Sequence, residues 1–290
     1  MELMVAMAIT TIIVTVLVSI TSIALDTWNR SRAELRAARQ AKAMVDTMAR
    51  DFESLVTRRG NDSEWLSAES PNSIGINLES TNSADLIFFS GSTERYNGSI
   101  GTTSDKGGDV SCIGYRLLYD DPIKKGGDFE TFILKRILVN PDETFNNLLS
   151  QKDLESSFGT YSGKLEDVEN FVCENIFQFT VTFLVDVTQG TGNSAKVVTV
   201  PVTIGKDESG QITKSLKVKG TGLETTAAPS GVSNDELKAG RIRAMEISLT
   251  VISDPGIDQI RRGAFNKGKI SEFMAKNSYH YTKLVQLPSM

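Results

Sequence analysis

The chain has 290 residues, long enough for a membrane span plus one globular domain with its own core, or two small ones. Against 36 acidic residues stand 31 basic ones, for a net charge of −5, which argues against nucleic acid as the main partner. A single histidine and the lack of any Cys-x-x-Cys argue against zinc.

The first stretch organises the rest. After Glu2 no charged residue occurs until Asp26, and residues 3–25 are Leu, Ile, Val, Met, Ala, Ser and Thr. A bilayer core of about 30 Å needs about 20 apolar residues in a helix, and a helix satisfies its own backbone in lipid. The five Ser and Thr from Thr10 to Thr21 are expected to bond back to that backbone. Trp28 follows at interface depth. Residues 1–28 therefore read as one transmembrane helix. Glu2, one residue from the chain start, either snorkels to the headgroups without further role or carries a specific charge pairing.

No Gly or Pro interrupts residues 1–59, so the helix is expected to continue to Gly60. In the amphipathic continuation, 29–60, Ala41, Met44, Val45, Met48, Phe52 and Leu55 recur at helical spacing and predict packing against the protein's own sheet. Asp46 and Arg50 form a local i,i+4 pair, and Arg58, Arg59 and Gly60 suit a helix end. Residues 61–290 read as a β-rich head, giving an α+β fold: a long helix packed on an antiparallel sheet. Expected strands are 73–78, 85–90, 112–119, 129–139, 171–187, 241–252 and 279–287. Residues 61–72 form a polar connection with Trp65 and Leu66 docked on the core. Residues 91–109 form a loop. A short helix is placed near 145–149 and a broken one within 257–277. Residues 188–235 read as a flexible insertion: an inserted hairpin of runs 196–204 and 214–219, then a linker from 225 to 234.

The residues offer little chemistry. His280, between Tyr279 and Tyr281, has no Ser and Asp pattern around it. Glycine-rich bits at 106–108, 125–127 and 220–222 lack phosphate-loop spacing. Asp105, Asp109, Asp120, Asp121 and Asp128 read as a solvated acidic loop, with a calcium site as the alternative. Cys112 and Cys173 are two buried thiols or one disulfide. No catalytic, cofactor or metal site is assigned, and the chain is not read as an enzyme.

The string Glu2-Leu3-Met4-Val5-Ala6-Met7-Ala8-Ile9 resembles the N-terminal signature of type IV pilins and type II secretion pseudopilins. There a Glu leads into the apolar helix, and its charge pairs with the terminal amine of a neighbouring subunit. The resemblance gives Glu2 that role. Residues 40–52, ending Met48-Ala49-Arg50-Asp51-Phe52, are similar to the stem of the J-type minor pseudopilins. So are the layout of Tyr115-Arg116-Leu117 with Leu134-Lys135-Arg136 and the closing Tyr281, Val285, Leu287 and Pro288. A set of pilin-like cassette proteins of Verrucomicrobia matches the same motifs.

The resemblance implies a structural minor pilin or pseudopilin. Its partners are other such subunits, the inner membrane and, if the full-length start exists, a prepilin peptidase, with the head in the periplasm; the charge balance leaves no nucleic acid among them. A periplasmic head permits a disulfide. The family carries a basic leader, a Gly and four residues before the Glu, whereas only Met1 precedes Glu2 here. Translation starts upstream, or the chain is a piece of a longer one, or this copy is not processed. Arg30, Arg32, Arg36 and Arg39 after the span point, by the positive-inside rule alone, to a cytoplasmic head; the resemblance places it outside. Two other readings are a single-pass anchored binding or adhesion protein, and a secreted hydrolase cut after Ser22-Ile23-Ala24, for which the apolar run is too long.

Overall fold

The computed structural model describes residues 2–71, 73–91, 108–190, 195–207, 210 and 212–287, with Glu2 by its backbone alone. Helix α1 (Glu2–Glu53) runs unbroken for 52 residues, about 78 Å at 1.5 Å per residue. It ends before the expected Arg59. At Glu53 the backbone finds a better partner than another helical turn: Leu55 forms a bridge with Ser90, and the Val56 N–H donates to the Phe89 carbonyl at 2.9 Å. Gly60, with φ +90°, serves the next turn and not the helix stop.

The head then alternates strands with short helices. These are β1 (Glu64–Glu69), β2 (Asp85–Ser90), β3 (Ser111–Asp120) and β4 (Thr131–Val139). Next come α2 (Pro141–Glu143), which runs into a π-turn over Thr144–Leu148, and α3 (Leu154–Leu165). Then follow β5 (Phe171–Glu174), β6 (Ile176–Gln189), β7 (Lys196–Lys206), β8 (Ile212–Thr213), β9 (Ser215–Lys219) and β10 (Gly222–Thr225). The chain closes with α4 (Asn234–Lys238), β11 (Arg241–Ile252), α5 (Asp254–Arg261), α6 (Ile270–Asn277) and β12 (Ser278–Gln286). The strands form two sheets, ordered β10-β9-β1-β2-β3-β4-β5 and β12-β11-β6-β7-β8, with antiparallel neighbours throughout. The α+β class and the helix-on-sheet plan hold.

One core joins α1 to the inner faces of both sheets. Ala41, Met44, Val45, Met48, Phe52 and Leu55, the stripe read from spacing, are all buried in it. Phe179, Val181, Phe183 and Val185 of β6 face it at every second position, as a half-buried strand requires. A second core lies on the outer face of the seven-stranded sheet, where α3 covers Trp65, Phe89, Cys112 and Val139. There Phe158 of α3 sits so close to β3 that a Cβ on Gly114 would lie 2.6 Å from its ring.

Several expectations change. Residues 64–69 are a strand and not a polar connection, while 73–78 reduce to a bridge between Ile74 and Ser80. The run 171–187 divides at Asn175, whose φ of +65° turns the chain from one sheet into the other. Residues 188–235 are not an arm carrying a hairpin. Strand β7 belongs to the five-stranded sheet and β9 to the seven-stranded one, and Val202, Ile204, Leu216 and Val218 are buried in the shared core. Helix α3 has no counterpart among the expected elements. Most of the 91–109 loop, Asp105 and Pro288 lie outside the described residues.

Candidate functional site: the N-terminal helix and its seat in the head

Among the described residues nothing covers the span half of α1. None of its most apolar window is buried, and Leu3 and Met4 are exposed by 75% and 78%. The hydroxyls of Thr10, Thr11, Thr15, Ser19 and Thr21 each donate to the carbonyl four residues back, at 2.8–2.9 Å. Each of those hydroxyl protons is used inside the helix, so the set offers no free donor and the surface is mainly apolar despite its Thr content. This is one helix long and apolar enough to cross a membrane. The side chain of Glu2 lies outside the described residues.

The head half is held at three heights. Nearest the span, Arg36 pairs with Glu174 at 2.8 Å and Asp254 at 3.1 Å. Further along, Asp46 accepts from Lys283 of β12 at 2.6 Å, while the expected neighbour Arg50 adds a smaller favourable charge and donates to the Asp46 carbonyl at 3.4 Å. The hydrogen bond from Lys283 holds the Asp46 carboxyl below its usual range. At the far end Asp51 is buried. Its carboxylate takes a fork from Arg136, Nε at 2.7 Å and Nη2 at 2.8 Å, and the Tyr115 hydroxyl at 2.5 Å. A buried charge is tolerated only when paired and hydrogen-bonded in this way. Burial, and then the Asp51 charge, push Tyr115 well above its ordinary value. Burial opposes the charge on Arg136, but the bonds from Asp51 outweigh it and raise its pKa. Phe52 stacks on Phe88 with centroids 4.0 Å apart beside this pair.

Three of the strings that resemble the pseudopilins thus meet at one point: Asp51 from the stem, Tyr115 from β3 and Arg136 from β4. Alternation along β4 sends the preceding residue the other way. Lys135 is buried on the outer face and donates to the Glu166 and Asp167 carbonyls at 2.6 and 3.0 Å, at the C-terminal end of α3. A cation there is favoured by the helix dipole.

The comparisons with known proteins add no relative. No protein-family model, curated protein or solved structure matches this chain.

The remaining candidates resolve into structure. Cys112 faces the outer core and Cys173 the inner one; they lie opposite Val139 and Leu134 of β4, which runs between them. Two strand spacings, about 10 Å, already exceed the about 7 Å that a disulfide spans. Both thiols are free, and burial pushes both upward in pKa. Two carboxylates of the acidic loop serve its own backbone. Asp121 accepts from the N–H groups of Ile123, Lys124 and Phe129, and Asp120 from those of Asp121 and Gly126, bracing the β3–β4 turn. Among the described residues no group of three or more His, Cys, Asp or Glu side chains is placed to hold a metal. His280 bridges the hydroxyls of Ser248 and Thr250 at 3.0 and 3.1 Å across β11 and β12.

Reading by residue type missed one polar cluster. Under α3, the buried Glu64 has Lys217 Nζ at 3.8 Å, and among the described residues neither of its oxygens has a well-formed hydrogen bond. Burial and the neighbouring Glu155 raise Glu69 to about 7, and burial raises Asp85 to about 6 although Arg116 sits 2.7 Å away. The strand register of β1 against β9 brings these groups together, and nothing local in sequence announces it.

Proposed function

We propose that this chain is a membrane-anchored filament subunit of the pilin or minor pseudopilin kind, assembling side by side with like subunits through the exposed half of α1. The observation that carries the reading is the division of one unbroken helix. One half is apolar and uncovered, and the other is built into the head. An apolar face of that length is buried either by lipid or by neighbouring helices. The meeting of Asp51, Tyr115 and Arg136 supports it further, because the strings that resemble the J-type pseudopilins are the ones that fix the stem. In this reading the head lies in the periplasm, the span in the inner membrane, and Glu2 sets the register between subunits by pairing with a neighbour's terminal amine.

The test is cross-linking in native membranes. A cysteine placed at Leu17 should give disulfide-linked dimers, the native thiols being buried. Glu2→Ala should remove the dimer while the protein stays membrane-bound. Monomer alone from every cysteine position along 3–25 would leave a single-pass anchored binding protein as the reading.

A further inference from the structure

Where α1 leaves its apolar run, a notch of about 830 Å³ opens between the helix and the head. The helix side carries Trp28, Arg32, Leu35 and Arg39, and the opposite wall is the Asp254–Pro255 corner at the start of α5. Arg36 spends its charge on Glu174 and Asp254. Arg32 and Arg39 are exposed, and no ion pair to either occurs among the described residues. Arg30 adds a further exposed charge on another side of the helix. From Asp26 to Gln40 the sequence itself holds four arginines against Asp26 and Glu34, in a chain of net charge −5, and among the described residues only Arg36 of the four is paired with the head. The positive charge is therefore gathered next to the span.

Its depth decides what it meets. Arg32 lies seven residues past Leu25, about 10 Å along the axis. Helical side chains slant toward the N-terminus, here toward the span, so the guanidinium reaches back to the depth of the headgroups. Trp28, 69% exposed, falls at the interface, where indoles settle. Arg39 is about 21 Å past Leu25, at the fading edge of a surface potential that falls within a Debye length of about 8–10 Å.

We infer that this notch seats on an anionic phospholipid surface, with Arg30 and Arg32 at the lipid phosphates and the Asp254–Pro255 corner resting above them. The inference rests on the membrane-anchored reading. The charge itself selects the lipid: a zwitterionic surface offers no net attraction, whereas an anionic one favours each basic residue near it by about fivefold.

The experiment uses the full chain with Trp65→Phe, so that Trp28 is the sole indole, reconstituted in phosphatidylcholine vesicles. Energy transfer from Trp28 to dansyl-labelled phosphatidylglycerol is compared with transfer to dansyl-labelled phosphatidylcholine. Phosphatidylglycerol should be enriched about tenfold or more around Trp28. Arg30→Gln with Arg32→Gln should abolish the enrichment, and Arg39→Gln should lower it by less than half. Arg241→Gln with Arg243→Gln, exposed on the head, should leave it unchanged. Equal transfer to both lipids from protein that floats with the vesicles overturns this inference alone. An equal loss from all three variants also overturns it, since generic charge would then be at work. Protein that fails to float overturns the anchored reading as well. If enrichment is absent but Arg32→Gln weakens cross-linking between copies, the notch belongs to a second subunit and the lipid assignment falls.

Discussion

The two halves of α1 have similar helix-forming sequences and opposite surroundings. Residues 3–25 turn large aliphatic groups outward all round, whereas from Ala37 to Phe52 a single stripe is apolar and every member of it is buried. Composition alone separates them: a helix apolar on every side needs lipid or other helices, and a striped one needs a sheet. The head half also has what the span half lacks, polar anchors with named partners at Arg36, Asp46 and Asp51. The first half is thus free to choose its neighbours, and the second is not.

That contrast can be broken most severely at Asp51. Asp51→Ala strands a buried guanidinium and should cost about 3–5 kcal/mol of head stability, read by urea denaturation of the full chain in detergent micelles. Replacing the whole group by Asp51→Leu, Arg136→Met and Tyr115→Phe should restore most of the loss. If the triple variant is as weak as the single one, packing rather than the uncompensated charge is responsible. Next in size, Phe52→Ala removes a stacked, buried ring and should cost about 3–4 kcal/mol. Leu17→Ala, in the same helix, should leave the denaturation midpoint unmoved, and a shared loss would mean the span is packed on the head after all.

The smallest effect is one of pH. Glu69 rises from its usual 4.5 to about 7, and Asp85 from 3.8 to about 6. The folded protein therefore holds these protons more tightly than the unfolded chain does. Between pH 4 and 7 that stabilisation is lost as pH rises. The thermal midpoint should be higher at pH 5 than at pH 8, and Glu155→Gln should shrink the difference. A midpoint that climbs with pH would contradict the arrangement under α3.

Much of this was legible in residue order. The stripe from Ala41 to Leu55 follows from spacing, and strands 85–90, 112–119 and 241–252 follow from short apolar or alternating runs. Helix α3 carried a signal that polar composition hid: Leu154, Phe158, Tyr161 and Leu165 recur every three or four residues, and all four are buried. What could not be read depends on distant partners. The helix stops at Glu53 because Phe89 and Ser90 offer backbone bonds, and Arg136 is inward only because Asp51 lies opposite it. The run from Lys196 to Lys219 looked detachable because its exposed alternation resembles a free hairpin, but its two strands are claimed by different sheets. Of the candidate site, the oily surface was visible in the sequence, while the notch beside Arg32 needed the position of Pro255.

The anchor at Asp51 sits at the end of the rod farthest from the apolar run. Tension applied to the chain from its apolar end must travel through every turn before it reaches that pair. Contacts strung along a rod in this way are loaded in shear and must yield together, rather than peeling apart one after another. A pull on the first residues would therefore drag the whole head along with them.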